Sequence, residues 1–349
     1  MLWLAGLMGI MAVGTVAFVD PMGRDDQDDD DASARADIDE MARTLSSGDL
    51  FEQSDPRGGD DDADLPPLVA DPAQAVSIVE GSEDGDDLTG DAGNQRIFAD
   101  AGNDTVRAGG GADELRGGSG DDDLDGGSGD DLLHGEDGGD ALRGGSQNDA
   151  LFGHSGADTL HGDDGTDALQ GSAGGDLLFG DAGDDVLQGG LDNDTLHGGT
   201  GADTLFGGWG DDIIDGRAIG ADGADGDGAD YLNGGGGDDT IFAGAGDIVT
   251  AGTGNDDIVL GPWARAAAAV DILDYIPGED SVVLIWDDSD DTSEEPTVNL
   301  TGDPENAGRT LVLLDGAVVA SVVGTDLSAA DIALIPQSTA EGLTLPPAG

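Results

Sequence analysis

Between Gly81 and Val259 one large apolar side chain returns at every ninth residue, and almost everything around it is glycine, aspartate or another small polar residue. The full phrase is G-G-x-G-x-D-x-(large apolar)-x, written cleanly at 117–125 (GGSGDDDLD), 126–134 (GGSGDDLLH) and 198–206 (GGTGADTLF). Eighteen copies keep phase from residue 81 to 242, an eight-residue copy covers 243–250, and a last nine-residue copy covers 251–259. The apolar eighth place holds in nineteen of the twenty copies, failing only at Gly223; the sixth place is aspartate in eighteen, failing only at Gln95 and Ala221. A short fixed period of this kind marks a stacked repeat. Alternation around the apolar residue is too brief for a helix and glycine opposes one, so each copy predicts one short strand with a single inward side chain.

Glycine fills the fourth place in sixteen of the twenty copies, where positive φ turns the backbone sharply. Asp84 and Asp192 replace it with a residue type that tolerates the left-handed region, which Gln147 and Ile219 fit less well.

Charge narrows the chemistry. The chain has 349 residues, 77 acidic against 11 basic side chains, a net charge of -66, no lysine and no cysteine. Such acidity excludes nucleic acid as a partner and favours cations. Without cysteine, neither disulfides nor thiolate metal sites staple the fold. Stacking the coils would bring sixth-place aspartates to the strand spacing of about 4.7–4.9 Å. Two like charges there repel by ~1 kcal/mol in water and ~4 kcal/mol at an effective dielectric of 20. An oxygen-ligated divalent cation between them reverses that sign, and six to eight oxygens of mixed carboxylate and carbonyl type suit calcium better than magnesium.

The phrase resembles the RTX, or haemolysin-type, calcium-binding repeat. The resemblance implies an all-β fold, a right-handed parallel β-roll with two repeats per turn, and multiple Ca2+ ions held between the glycine-rich loops by sixth-place aspartates and backbone carbonyls. Matched position by position, the implied metal ligands are Asp86, Asp104, Asp113, Asp122, Asp131, Asp140, Asp149, Asp158, Asp167, Asp176, Asp185, Asp194, Asp203, Asp212, Asp230, Asp239, Asp247 and Asp256. Repeats two apart then share an edge, so Asp104 stacks with Asp122 and Asp113 with Asp131. Gln95 weakens its site on this reading. The segment 216–224 keeps phase without aspartate or apolar residue, which predicts a local bulge with one weak or missing calcium.

The rest of the chain divides around the array. Residues 1–19 carry no charged side chain and as a helix reach about 28 Å, close to a hydrocarbon core of about 30 Å. They read as a membrane anchor or a cleaved signal segment. Residues 20–71, with the runs DDQDDDD and DDDAD, read as an acidic disordered linker. The roll is expected over 72–260, opened by strand character at 75–79. Beyond it, 261–336 predicts a small β cap, with strands at 270–276, 281–286, 297–300, 310–314 and 318–323 and a hairpin turn at Asp315-Gly316. Residues 337–349 form a tail. The cap, with DILDYIPGED at 271–280, is similar to the C-terminal region of RTX exports, which implies a type I secretion exporter as partner.

Ninth-place side chains face outward. One edge reads Arg107, Asp125, Arg143, His161, Phe179, His197, which predicts an Arg-Asp-Arg charge ladder. The other reads Phe98, Arg116, His134, Phe152, Gln170, Gln188, Phe206, whose phenylalanines read as scattered surface exposure or a contact surface. All four histidines, at 134, 154, 161 and 197, lie in the array; His161 and His197 fall two coils apart with Phe179 between, too far for a shared zinc.

The leading functional reading is a calcium-binding protein, secreted or at the bacterial cell surface, whose roll folds on binding calcium. An adhesin or matrix protein presenting the roll to a ligand is the alternative, with no protein ligand defined by the sequence. An RTX-exported enzyme is disfavoured by the lack of H-E-x-x-H, G-x-S-x-G, cysteine or room for a catalytic domain, and the chain is read as a non-enzyme.

Overall fold

The computed structural model describes residues 76–219, 228–265, 268–289, 295–324 and 327–342; the expected anchor at 1–19 and the linker at 20–71 lie outside them. Among the described residues no helix is long and apolar enough to cross a membrane. The chain is all-β. Through the array successive strands alternate between two sheets and pair in parallel; with the cap, one sheet has fourteen strands beginning with Ser77–Ser82 and the other twelve beginning with Asp87–Thr89. Residues eighteen apart are therefore hydrogen-bonded neighbours, as Leu124 with Leu142 and Leu142 with Leu160.

The strands are longer than the three-residue alternation suggests. Asp123–Ser128, for example, runs from the seventh place of one phrase through the third place of the next. Its eighth-place Leu124 and first-place Gly126 are both buried, so two side-chain positions per strand face inward, and the second takes only a small residue: glycine in most copies, alanine at the fully buried Ala99, Ala108, Ala243 and Ala251. A Cβ on Gly117 would lie 2.3 Å from Oδ2 of Asp122, which leaves no room for any other residue. Glycine costs strand stability in isolation, but here its backbone is bonded into a parallel ladder with both neighbouring coils.

Eighth-place side chains from Ile97 to Ile258 are fully buried and form one narrow core. The fourth-place left-handed turn is general enough to hold Gln147 at φ 79° as well as Asp192 at φ 72°. The second place is left-handed too, with Asp100, Glu136, His154, Asp163, Ser172 and Asp181 all between φ 69° and 89°. The nonapeptide phrase reads this place as glycine without revealing that the conformation persists when glycine is absent.

The segment 216–224 departs from expectation. Instead of keeping eighteen-residue register, the pairing passes over one copy: Leu205 pairs with Leu232 and Ile214 with Ile241, both 27 residues apart, and then spacing falls to 17 at Leu232 with Val249. With neither a core residue nor an acidic rung, this copy has nothing to hold it in the stack. Its entry is pinned by Arg217, which pairs with Asp215 at 2.6 Å and lies 4.5 Å over the rings of both Phe242 and Trp263.

The cap continues both sheets. Val270–Ile272 extends the larger one, followed by Ala317–Val323, which folds back antiparallel through Arg309–Leu314 to Val298–Gly302. Asp315 at φ 52° and Gly316 at φ 86° make the expected tight hairpin turn. Ser281–Trp286 and Ile332–Pro336 extend the smaller sheet.

Outward side chains also differ from the sequence reading. Arg107, Asp125 and Arg143 do fall in register. The ion pairs nevertheless run diagonally, Arg107 to Asp87 at 3.3 Å and Arg143 to Asp163 at 4.0 Å. The phenylalanines of the other edge, Phe98, Phe152 and Phe206, are half-buried, Phe152 stacking on His134 at 4.9 Å and Phe206 lying 5.8 Å from the Tyr231 ring. On the first edge Phe179 is 7% exposed, stacked between His161 at 4.5 Å and His197 at 4.9 Å.

Candidate metal centre

The sixth-place aspartate ends each three-residue turn, immediately before a strand. Its backbone N–H donates to Oδ1 of the aspartate one coil further on: Asp104 to Asp122, Asp122 to Asp140 and Asp113 to Asp131, each at 2.8 Å. Parallel stacking repeats this bond along each edge. One ladder runs through Asp86, Asp104, Asp122, Asp140, Asp158, Asp176, Asp194, Asp212, Asp239 and Asp256. The other starts at Gln95 and runs through Asp113, Asp131, Asp149, Asp167, Asp185, Asp203, Asp230 and Asp247. All eighteen residues singled out in the sequence thus lie in two files. Seventeen are buried, and Asp86, at the open end, is half-buried.

The two oxygens of a rung have different fates. Oδ1 accepts the backbone bond, while Oδ2 of fifteen rungs, Asp104 and Asp256 among them, is buried with no hydrogen-bond partner. A buried carboxylate oxygen with nothing to accept is costly. Burial accordingly raises the carboxyls of Asp131, Asp140, Asp176 and Asp239 from 3.8 to about 7, and those of Asp149, Asp185 and Asp194 to about 8. Backbone N–H donation opposes the rise, and neighbouring rung carboxylates add to it.

A hard divalent cation fits this donor set. Oδ2 points over the first-place glycine of its own phrase; a Cβ on Gly144 would stand 2.4 Å from Oδ2 of Asp149. Carbonyls stack along the same loops: a Cβ on fourth-place Gly138, at φ 150°, would come within 1.8 Å of the Gly120 oxygen. Among the described residues no three carboxylate or imidazole side chains converge on one point. A metal held here therefore takes carboxylate oxygens from the rungs and completes its shell with carbonyls, as the many-oxygen preference of calcium allows.

Departures from the phrase are informative. Gln95 is 2% exposed, its amide donating to Asp91 Oδ1 at 2.9 Å and to the Gly93 carbonyl while its Oε1 accepts the Asp91 N–H at 3.2 Å. Its amide thus meets the loop oxygens from within the chain. Oδ2 of Asp247 accepts the Gly244 N–H at 2.6 Å, and that of Asp86 accepts Ser82 N–H at 2.7 Å, so the first rung of one file and the last of the other are closed by protein donors. Asp280 was missed in the sequence. It is 4% exposed, its Oδ1 stands 3.5 Å from the Asp256 backbone nitrogen, and its Oδ2 accepts the Ile276 N–H at 2.6 Å. The signal was its place immediately before the strand Ser281–Trp286, as every rung precedes a strand.

The fold and these files define a repeat protein of the calcium-binding β-roll class. Residues 80–115, 98–133, 134–169, 161–196, 188–218 and 222–247 match the family model of the RTX calcium-binding nonapeptide repeat, together just under half of the chain. The array is thus built of RTX repeats, which bind Ca2+. Among solved structures, the chain is similar to the AlgE6R3 subunit of the Azotobacter vinelandii mannuronan C5-epimerase in solution. Identity is 22%, over 46% of this chain and 88% of that one, with a TM-score of 0.16. No curated protein matches the chain.

Proposed function

We propose that this is a secreted or surface-attached bacterial protein whose roll folds on meeting extracellular calcium, with the eighteen sixth-place aspartates as carboxylate ligands. The observation that carries the reading is the set of fifteen buried Oδ2 atoms with no partner, aligned in two files. Calcium bound there supplies the positive charge that lets buried carboxylates stay ionised. The chain's own part is to fix Oδ1 through the backbone bond, hold Oδ2 over a glycine, and exclude water with the adjoining leucine file. Extracellular calcium modules commonly have dissociation constants of about 10⁻⁴ to 10⁻³ M, and ligands that converge only in the fold make binding and folding one equilibrium. Such a chain stays open in the calcium-poor cell, which suits passage through a type I exporter, and the cap at 261–336 is the part proposed to meet it. Residues 1–19 are the proposed means of surface attachment.

An adhesive role is a second reading, favoured by one observation. Leu191 and Trp209, register neighbours on the outer face of the larger sheet, are 52% and 70% exposed. Circular dichroism of the full chain during calcium titration tests the main proposal. A sigmoidal gain of β signal near millimolar calcium, reversed by chelator and not reproduced by magnesium, is expected; full β signal in chelator refutes it. Pull-down with the calcium form, with and without Trp209→Ala, tests the adhesive reading.

A further inference from the structure

Two imidazoles twenty residues apart in sequence meet on the outer face of the larger sheet. His134, in the strand Leu132–Asp137, is 6% exposed, and His154 occupies the left-handed second place of the adjoining strand Ala150–Ser155 at φ 76°. Nδ1 of His134 and Nε2 of His154 are 2.9 Å apart. The Phe152 ring stacks on His134 at 4.9 Å and lies 6.1 Å from His154, walling the pair on one side.

We propose that His134 and His154 form a binding site for a borderline divalent transition metal, Cu2+, Ni2+ or Zn2+, separate from the oxygen-lined calcium files. Imidazole nitrogen is a ligand for these ions, whereas calcium takes oxygen, so the two kinds of site do not compete. Two nitrogens each about 2.0–2.1 Å from one ion at a right angle stand about 3 Å apart, the separation already present here. Metal binding requires neutral imidazole. Burial, then the neighbouring His154 and Arg116, push His134 down to about 3, and burial and Arg116 lower His154 as well.

Carboxylates stand beside the pair. Glu136 is the register partner of His154, and the Asp137 charge acts on His154 in the direction that favours positive charge. Arg116 is the opposing group, and it is engaged by Glu114 at 3.5 Å and Glu136 at 3.8 Å. Without metal the same 2.9 Å is spanned by one N–H···N bond. With metal, the shared proton moves to the other nitrogen of its ring, so no redox step and no net proton change is involved. No third side chain converges on the pair among the described residues, and water completes the coordination. On the smaller sheet His161 faces Asp181 at 3.0 Å and His197 faces Asp215 at 3.9 Å, with Phe179 between them, so neither meets a second imidazole.

The test uses the full chain in excess calcium, which fills the carboxylate sites, with Cu2+ added up to one equivalent. Pulsed electron paramagnetic resonance is expected to show two imidazole nitrogens on one copper, a signature that carboxylates cannot give. His154→Asn, chosen because asparagine tolerates left-handed φ, is expected to abolish the two-nitrogen signal while His161→Asn leaves it unchanged. Oxygen-only coordination in the parent chain, or an unchanged two-nitrogen spectrum in His154→Asn, overturns the proposal. Should His154→Asn lose its calcium-induced β signal, the parent spectrum decides alone, and it is read independently of how many calcium ions the files hold.

Discussion

Protons and calcium should compete for the same oxygens, and the competition can be followed in both directions. Asp149, Asp185 and Asp194 have carboxyls near 8 in the fold, against 3.8 for an ordinary aspartate. Keeping one such rung in the metal-free fold at pH 7 costs about 4 kcal/mol relative to the unfolded chain, where it ionises freely. Because the folded value lies above the unfolded one, the folded chain binds more protons between about pH 4 and 8. Stabilisation by protonated rungs is therefore complete below 3.8 and is lost as pH rises through the 6 to 8 range of the ladder. Each rung protonated only in the fold contributes a slope of about 1.4 kcal/mol per pH unit. In chelator, circular dichroism should show β signal growing as pH falls from 8 to 5, whereas the calcium needed to fill the rungs should rise over the same interval. Calcium added in weak buffer at pH 5 to the acid-folded, metal-free chain should release protons from the rungs raised to about 7 and 8. A metal-free chain with no gain of β signal on acidification, together with calcium binding that releases no protons, would refute the reasoning.

Three substitutions probe separate parts of the same construction. Gln95→Asp replaces an amide that donates to Asp91 and Gly93 with a carboxylate; equilibrium dialysis should find about one more calcium per chain, and the metal-free form should be less stable. Leu151→Ala empties a fully buried core position between Leu133 and Leu169; denaturant unfolding in saturating calcium should show a loss of about 2–5 kcal/mol, and a loss under 1 would mean that the file is not close-packed. Deleting 218–226 joins Arg217 to Asp227, keeps Asp230 in the sixth place and returns the 27-residue rung spacing to 18. That variant should keep the calcium stoichiometry and cooperativity of the parent chain, and a lost calcium would show that the passed-over copy contributes ligands.

Much of this was legible in the sequence because one phrase dictates both the strand and the turn. The apolar eighth place located the central file of core residues from Ile97 to Ile258, though not the buried Ala99, Ala108, Phe242, Ala243 and Ala251, and the sixth place located both files of aspartates. What escaped depends on contacts between coils rather than within one. Oδ1 of a rung is claimed by a backbone N–H eighteen residues earlier, which the phrase alone does not reveal. The fate of 216–224 followed from competition between keeping phase and keeping rungs, and phase lost. His134 and His154 sit at different places of the phrase, so comparing ninth places with ninth places could not bring them together. Asp280 lies outside the repeats altogether and joins the file through the register of Ser281 with Asp257.

The spacing changes indicate which feature the stack preserves. Across the passed-over copy the rung bonds run from Asp203 to Asp230 at 2.7 Å and from Asp212 to Asp239 at 2.8 Å, over 27 residues. Across the short copy they run from Asp230 to Asp247 at 3.0 Å and from Asp239 to Asp256 at 2.9 Å, over 17. Chain length between coils is thus free to vary while the rung-to-rung bond is not. That bond sets the Oδ1 position, and the glycine beneath sets Oδ2, so donor geometry is fixed by backbone spacing rather than by side-chain choice. A ladder fixed in this way repeats the same oxygen at every level, including the same unsatisfied atom. Burying one such atom is tolerable by protonation; burying fifteen at neutral pH is not, so metal uptake has to accompany coil formation and does not follow it.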